Sequence, residues 1–362
     1  MKALISTLLL SATCVQLTVA QYEFHDEQRV GCTSVKSQDI TGTCWSYSTS
    51  SFLESELMRM GKGEYDLSEM FIVRNIYMDK ARNYILRQGA ANFSEGALAH
   101  DLLRMFDEKG VVPNDAYPGL LGEDSIHNHA ELEAGMKGFL DGVRTQKKVG
   151  DKWPQAMEGI LDAYLGEAPN EFTYKGKKYN PKSFAQSLGL KSSDYIGFTS
   201  FSHHPFGKPF IIEIPDNYSN GSYNNVPIDD LMKLIDYALE NGYSLAWDGD
   251  VSEKGIGGKQ GIAIIPSDLK RDSVFYKPGE EIEATQELRQ QQFESLQTTD
   301  DHLMHIIGTA KDQRGTKYYI VKNSWGEIGP FKGYFYMSET YMRMKTVSVY
   351  LHKDGVPKAM KP

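Results

Sequence analysis

One cysteine, one histidine and two side-chain amides in this chain have the types and the order needed to break an amide bond. Cys44 stands in Gln38-Asp-Ile-Thr-Gly-Thr-Cys44-Trp45-Ser46-Tyr47, and the chain much later supplies Asp301-His302 and Asn323-Ser-Trp-Gly326. Cleaving an amide requires a nucleophile, a base that keeps it active, and donors for the oxyanion of the tetrahedral intermediate. Cys44 offers the thiol. His302 can take its proton and later hand it to the leaving amine. Asn323 can bond the far nitrogen of that ring and fix its tautomer, and a neutral orienter suits a thiolate–imidazolium pair because it adds no negative charge. The side-chain amide of Gln38 and the backbone N–H of Cys44 would form the oxyanion hole. Trp325 can cover the His302–Asn323 hydrogen bond and keep water from competing for it. His305 competes for the role of base, but it lies three residues from His302; in a strand the two face opposite ways, so only one can meet Cys44.

These groups need elements to bring them together. From Cys44 the pattern is helical, with Phe52, Leu53, Leu57 and Met60 at helical spacing and Gly61 as a stop. Cys44 then occupies a first helical turn, where unpaired N–H groups and the helix dipole favour a thiolate. A second helix is predicted from near Ser94 to Gly110. A third follows Pro227, with Leu231, Leu234, Ile235, Ala238 and Leu239 on one face before Gly242. Strands are predicted over 210–214, 244–247, 262–265, 303–310, 318–322, 333–337 and 347–351. Helices dominate the first third and strands the last, which predicts an α+β fold with a helical lobe against a sheet or barrel lobe. Between about 120 and 223 the chain is rich in charge, Asn, Lys and Tyr, with short helical stretches near 129–143 and 153–165, and reads as an insertion that decorates the core.

Composition narrows the partners. The net charge of -9 comes without a Lys/Arg run, which argues against nucleic acid, and Lys80-Ala-Arg82 and Lys147-Lys148 read as solvated surface. Met1-Lys2, an apolar stretch over 3–10 and Thr18-Val19-Ala20 before Gln21 read as a cleaved signal peptide over 1–20, leaving one large domain or two lobes over 21–362. The stretch is too short and interrupted for a membrane anchor, so export to a periplasm or the exterior is expected, with no integral membrane segment in the mature chain. Cys14, a lipid-attachment alternative, sits in a poor context for it. Cys32 and Cys44 then remain, and Cys32 is expected as a buried free thiol, since pairing would consume the nucleophile. Asn-X-Ser triplets begin at Asn92, Asn217 and Asn220. His203-His204 lacks a carboxylate or cysteine at ligand spacing, so no metal or other cofactor is expected.

The ordered set Gln38, Gly42-Thr-Cys44-Trp45-Ser46, Asp301-His302, Asn323-Ser-Trp-Gly326 and Gly333-Tyr334 resembles the papain-superfamily cysteine peptidases. Position by position, the resemblance makes Cys44 the nucleophile, His302 rather than His305 the base, Asn323 its orienter and Gln38 the oxyanion residue. It also implies a papain-like two-lobe fold. Compact papain-type enzymes carry the histidine about 130–150 residues after the cysteine, and here roughly a hundred more intervene. That insertion, Tyr223-Asn-Asn-Val-Pro-Ile-Asp229 before an amphipathic helix, and Lys332-Gly-Tyr334 are similar to the bleomycin hydrolase and aminopeptidase C branch. The branch implies thiol-dependent removal of residues from the N-terminus of short peptides, in a hexameric ring. It further implies a C-terminal arm in each cleft whose carboxylate receives the substrate amine. Two features depart from that pattern: the export signal, and a basic tail, 351–362, whose lysines would repel an ammonium group. The Gly-Gly pair that binds substrate backbone in papain-like enzymes is also missing, with Asn92-Phe93-Ser94 about where it belongs.

Other readings of the same residues are an open-cleft papain-like endopeptidase, a different Cys–His acyl transferase or amidase, and a papain-fold binding module without catalysis. The pairing of Gln…Cys-Trp with Asn-Ser-Trp-Gly argues against the second, and the presence of all four catalytic residue types against the third.

Overall fold

The computed structural model describes residues 22–361 apart from 269, 271 and 272. The signal-peptide reading and Cys14 lie outside the described residues.

Helix α1 (Cys44–Arg59) is the axis of the molecule. All its residues from Cys44 to Leu57 are buried, so it is walled in on every side rather than amphipathic. Small hydroxyl side chains make that possible: Ser46 Oγ donates to the Glu69 carbonyl at 3.0 Å and Ser48 Oγ to the Met304 carbonyl at 2.7 Å. Around it pack α2 (Glu69–Leu86), started by the Ser68 side chain accepting from Phe71 N–H, and α3 (Ala99–Lys109), stopped by Gly110. Next come α4 (Ala130–Arg144), α5 (Trp153–Leu165) and α6 (Pro181–Leu188). Leu132, Met136, Leu140, Met157, Leu161 and Phe184 from the last three join the same apolar core as Phe52, Leu57 and Leu102.

The second lobe is one sheet of eleven strands among the described residues. Its members in chain order begin with β1 (Phe24–Arg29). A separate hairpin, β2 (Phe172–Tyr174) and β3 (Lys177–Tyr179), precedes the next ones. These are β4 (Tyr195–Thr199), β5 (Pro209–Ile211), β6 (Ser222–Asn225), β7 (Leu245–Gly249), β8 (Ile256–Gly257) and β9 (Ile262–Ala263). The long strands close the list: β10 (His302–Asp312), β11 (Lys317–Lys322), β12 (Tyr334–Ser338) and β13 (Thr346–His352). The order is β5-β6-β4-β13-β7-β10-β11-β12-β9-β8, with β1 added on β10. Helix α7 (Ile228–Glu240) lays Leu231, Leu234, Ile235 and Leu239 against Trp247, Met304 and Tyr319 of the sheet. The two remaining helices, α8 (Gln286–Glu294) and α9 (Glu339–Lys345), lie close to each other near the start of β13.

This is the α+β, papain-like arrangement expected from the sequence: a helical lobe against a mostly antiparallel sheet with two parallel pairs, β9–β12 and β4–β6. The 120–223 segment contributes to both lobes. Its helices extend the helical core, and β4 and β6 extend the sheet through β13.

The tail follows a different course from the arm that the resemblance implies. Strand β13 starts at Thr346 opposite Gly249, the neighbour of His302, and ends at His352 opposite Tyr195. Residues 353–361 therefore leave from the end of the sheet remote from His302. There Val356 is buried and Met360 packs on the sheet core, while Lys353 pairs with Asp194 at 2.6 Å.

Candidate active site

Helix α1 and strand β10 meet along one line, and that line sets the site. Ser51 Oγ bonds His305 Nδ1 at 2.8 Å, Ser48 reaches the Met304 carbonyl, and one turn earlier the Cys44 thiol lies against the Leu303 N–H. The face of α1 carrying positions 44, 48 and 51 thus tracks β10 residue by residue. His305 is used up against Ser51 under α1, whereas His302 bonds Asn323. The two histidines thus take different partners, and the choice of His302 as base rests on the resemblance.

His302 Nε2 donates to Asn323 Oδ1 at 2.7 Å. The acceptor is fixed, because Asn323 Oδ1 also accepts the Ser324 N–H at 2.7 Å. With Nε2 protonated, Nδ1 is the nitrogen left for the thiol. The Trp325 ring lies over His302 with centroids 4.9 Å apart and planes tilted by 30°. The Asn323 N–H donates to the Gly333 carbonyl at 3.1 Å, and Gly333 has φ +82° with the Gly326 carbonyl where a Cβ would stand. Only glycine fits that turn, which explains the Gly333-Tyr334 signature.

Gln38 is buried beside this loop. Its N–H donates to the Ser324 carbonyl at 2.8 Å, its Oε1 accepts from Ser324 Oγ at 2.6 Å, and its Nε2 donates to the Thr41 carbonyl at 2.6 Å. Ser324 thus orients the Gln38 amide and leaves one Nε2 hydrogen for an oxyanion. The Cys44 N–H heads α1 and has no partner within the helix. Ser324 was not singled out from the sequence. Its cue was adjacency to Asn323.

Electrostatics modify one expectation. A helix start favours a thiolate, yet burial pushes the Cys44 thiol up to about 12, opposed by the Leu303 N–H and helped by Asp300, Asp216 and Asp248. Burial also pulls His302 down to about 4, against the Asn323 hydrogen bond and the charge of Asp301. Burial thus works against the charged form of both groups.

Other residues fall where the sequence did not put them. Asp248 sits on β7 as the cross-strand partner of Leu303, 2% exposed. Lys80 is not surface: it is 1% exposed and its Nζ donates to the Gly96 carbonyl. Cys32 is free and half-buried, 3.5 Å from Tyr334 Oη. The segment replacing a Gly-Gly pair flanks Cys44 through Glu95, whose carbonyl accepts from Trp45 Nε1 at 2.9 Å and whose Oε2 accepts the Gly42 N–H at 2.6 Å.

The His203-His204 reading also needs correction, since a carboxylate does complete the cluster. His203 Nε2 and His204 Nε2 lie 3.1 and 2.7 Å from the two oxygens of Glu213. The wiring behind it opposes a metal, however. Gln290 Oε1 accepts the Ser202 N–H at 2.6 Å, so its NH2 faces His203 Nδ1 at 3.0 Å. A nitrogen that accepts at Nδ1 carries its proton on Nε2, and a metal ligand requires the reverse.

The model of the Peptidase C1-like family matches residues 90–362 of this chain. Aminopeptidase C of Lactococcus lactis subsp. cremoris is 24% identical over 366 residues, covering 88% of this chain and 80% of its own. Mouse bleomycin hydrolase is 24% identical over 379 residues, covering 89% and 81%. Among solved structures, PepW from Lactobacillus rhamnosis superposes with a TM-score of 0.72 at 19% identity, over 93% of this chain and 83% of its own. With three quarters of its length inside the family match, the chain belongs to the Peptidase C1-like family and is a papain-like cysteine peptidase.

Proposed function

We infer that this peptidase is exported and removes residues from the N-terminus of short peptides through a Cys44 acyl-enzyme. The observation that carries the mechanism is the His302–Asn323 hydrogen bond of 2.7 Å, sheltered by Trp325, with the Cys44 thiol against the adjoining Leu303 N–H. The Cys44 proton passes to His302 Nδ1 as sulfur attacks the substrate carbonyl carbon. The attack moves negative charge onto an oxyanion facing Gln38 Nε2 and the Cys44 N–H. The C–N bond then breaks and the imidazolium returns its proton to the leaving amine. His302 next takes a proton from water, hydroxide adds to the thioester, and Cys44 leaves as the thiol.

The N-terminal preference is supported by the aminopeptidase names of the relatives. Export is supported by the sequence of residues 1–20 alone. Hexamer formation is kept as part of the proposal and is read by light scattering. One observation favours a second reading, an open-cleft endopeptidase: the described tail, 353–361, runs outside the cleft.

Mass spectrometry of a peptide pool separates the two. Each peptide is supplied with a free and an acetylated N-terminus, and Cys44→Ala serves as control. Stepwise loss from free N-termini, absent with the variant, supports the aminopeptidase. Cys44-dependent internal cuts in both sets would replace it with the endopeptidase.

A further inference from the structure

Loop 212–221 joins β5 to β6 at the edge of the sheet and is held by its own side chains. Asn217, 6% exposed, donates from Nδ2 to the Ile212 and Gly221 carbonyls at 3.0 and 2.9 Å and accepts the Gly221 N–H at 2.7 Å. Tyr218 Oη donates to Asp79 Oδ2 at 2.9 Å and accepts from Arg104 at 2.8 Å, while Ser219 Oγ bonds His100 Nε2 at 2.9 Å. Residues 217–221 are thereby tied to α2 and α3. The tip before them, 213–216, cannot swing aside without breaking these hydrogen bonds.

That tip presses on the chain beside Cys44. Asp216 Oδ1 accepts from Asn92 Nδ2 at 3.2 Å and from Ser94 Oγ at 3.4 Å. Its Oδ2 stands where a Cβ of residue 96 would project, so only a glycine at 96 leaves it room. Gly96 adjoins Glu95, which accepts from the Gly42 N–H and from Trp45 Nε1 and so touches the chain on both sides of Cys44. Lys80 donates to the Gly96 carbonyl and to Ser94, and its charge opposes the effect of burial on Asp216. Toward the sheet, Ile214 and Pro215 of the same tip share a cavity of about 550 Å³ with Thr298, Thr299 and Asp300, the residues leading into His302. The tip thus reaches both lobes.

The order of the sheet decides which half of a substrate the tip meets. Asn323 and Trp325 follow β11, on one flank of β10, whereas β6 and its loop lie on the other, beyond β7, β13 and β4. His302 returns its proton to the leaving amine, so the leaving half of the peptide takes the Trp325 flank and the acyl half runs toward the loop. We propose that the tip of loop 212–221 is a steric stop that ends the cleft on the acyl side of Cys44 and limits substrates to one or two residues before the scissile bond. Glu95 and the covered Gly96 are consecutive, and an extended peptide rising about 3.3 Å per residue meets Asp216 after two residues at most. Asp216 acts through its bulk, because its carboxylate is already answered by Asn92, Ser94 and the charge of Lys80. The stop rests on the N-terminal cleavage proposed above and gives it the barrier that a tail lying outside the cleft does not.

The test compares wild type with Pro215→Gly/Asp216→Gly, which removes the tip but keeps the anchors at 217–221. Asp216→Ala is a milder cut, and Asp216→Asn keeps the size of the side chain. The value of kcat/KM is measured on two fluorogenic amides, one of a single alanine with a free N-terminus and one of four alanines with an acetylated N-terminus. Wild type should cleave the short amide and hardly touch the long one. Ready cleavage of the long amide by wild type would refute the aminopeptidase reading, and the stop with it, before any variant is considered. The double variant should gain about tenfold or more on the long amide relative to the short one, Asp216→Ala should move the same way, and Asp216→Asn should not. No gain in whichever of the two cut variants melts like wild type would overturn the stop while leaving the aminopeptidase reading in place. An equal gain in Asp216→Asn would overturn it too, since the bulk is kept there.

Discussion

Lys36 offers the sharpest stability prediction. Its ammonium group lies at 2.7 Å from Glu69 and 3.6 Å from Glu54, and also pairs with Asp66. The Glu54 and Glu69 side chains are 1% and 5% exposed, whereas Asp66 is largely in solvent and adds little. Burial would lower the Lys36 pKa, but Glu69, Glu54 and Asp66 hold it above its ordinary value. Lys36→Met keeps the stem and removes the charge, leaving the two buried carboxylates without their direct partner and with only Lys322, bridged to Glu54 through Thr33, as a cation nearby. Removing one partner of a buried pair costs about 3–5 kcal/mol, and that is the loss expected from urea unfolding at pH 8. The sign with pH follows from Glu69. Burial already raises it to about 7 against the pull of Lys36, and without Lys36 it rises further. A carboxyl raised on folding destabilises the fold when the pH is high enough to ionise it, and the cost fades as pH falls toward its unfolded value. The deficit should therefore shrink by more than half at pH 5, and Glu69→Gln should recover part of it at pH 8. A loss below about 1 kcal/mol, or one independent of pH, would refute the reasoning.

Two further predictions concern the site itself. Asp248 is raised to about 7 by burial, with Asp300 and Ser348 opposing and Asp216 and Asp301 adding to it. Wild type therefore loses stability as pH climbs through that range, and Asp248→Asn should raise the thermal midpoint at pH 8 but hardly at pH 4; an equal gain at both would count against it. Ser324→Ala frees the Gln38 amide to turn its oxygen toward the oxyanion, so kcat should drop about tenfold with KM nearly unchanged. A change confined to KM would mean that Ser324 acts on substrate binding instead.

The proposed catalytic residues stand out in the sequence because near neighbours announce them: Trp45 after Cys44, Ser324-Trp325-Gly326 after Asn323. Helix α7 was legible as well, because one face is apolar and the other wet. Helix α2 passed unnoticed for the opposite reason. Both its sides are largely buried, with Met70, Phe71, Ile72 and Val73 consecutive, so no 3.6-residue contrast marks it; the Ser68 cap was the available cue. The carboxylates that act on Cys44 come from residues 216, 248 and 300, far apart in the chain. Glu213 escaped as well, ten and nine residues beyond the two histidines it joins. The tail's course depends on the register of β13, which no local pattern specifies.

The central claim is that Cys44 carries the acyl group. An amino-acid p-nitrophenyl ester mixed with the enzyme and quenched in acid within the first turnover gives the direct answer by intact-protein and peptide mass spectrometry. The account predicts a mass increase of one aminoacyl group on the peptide containing Cys44, absent in Cys44→Ala and strongly reduced in His302→Ala. Turnover with no acylated Cys44, or with label on another residue, would contradict it.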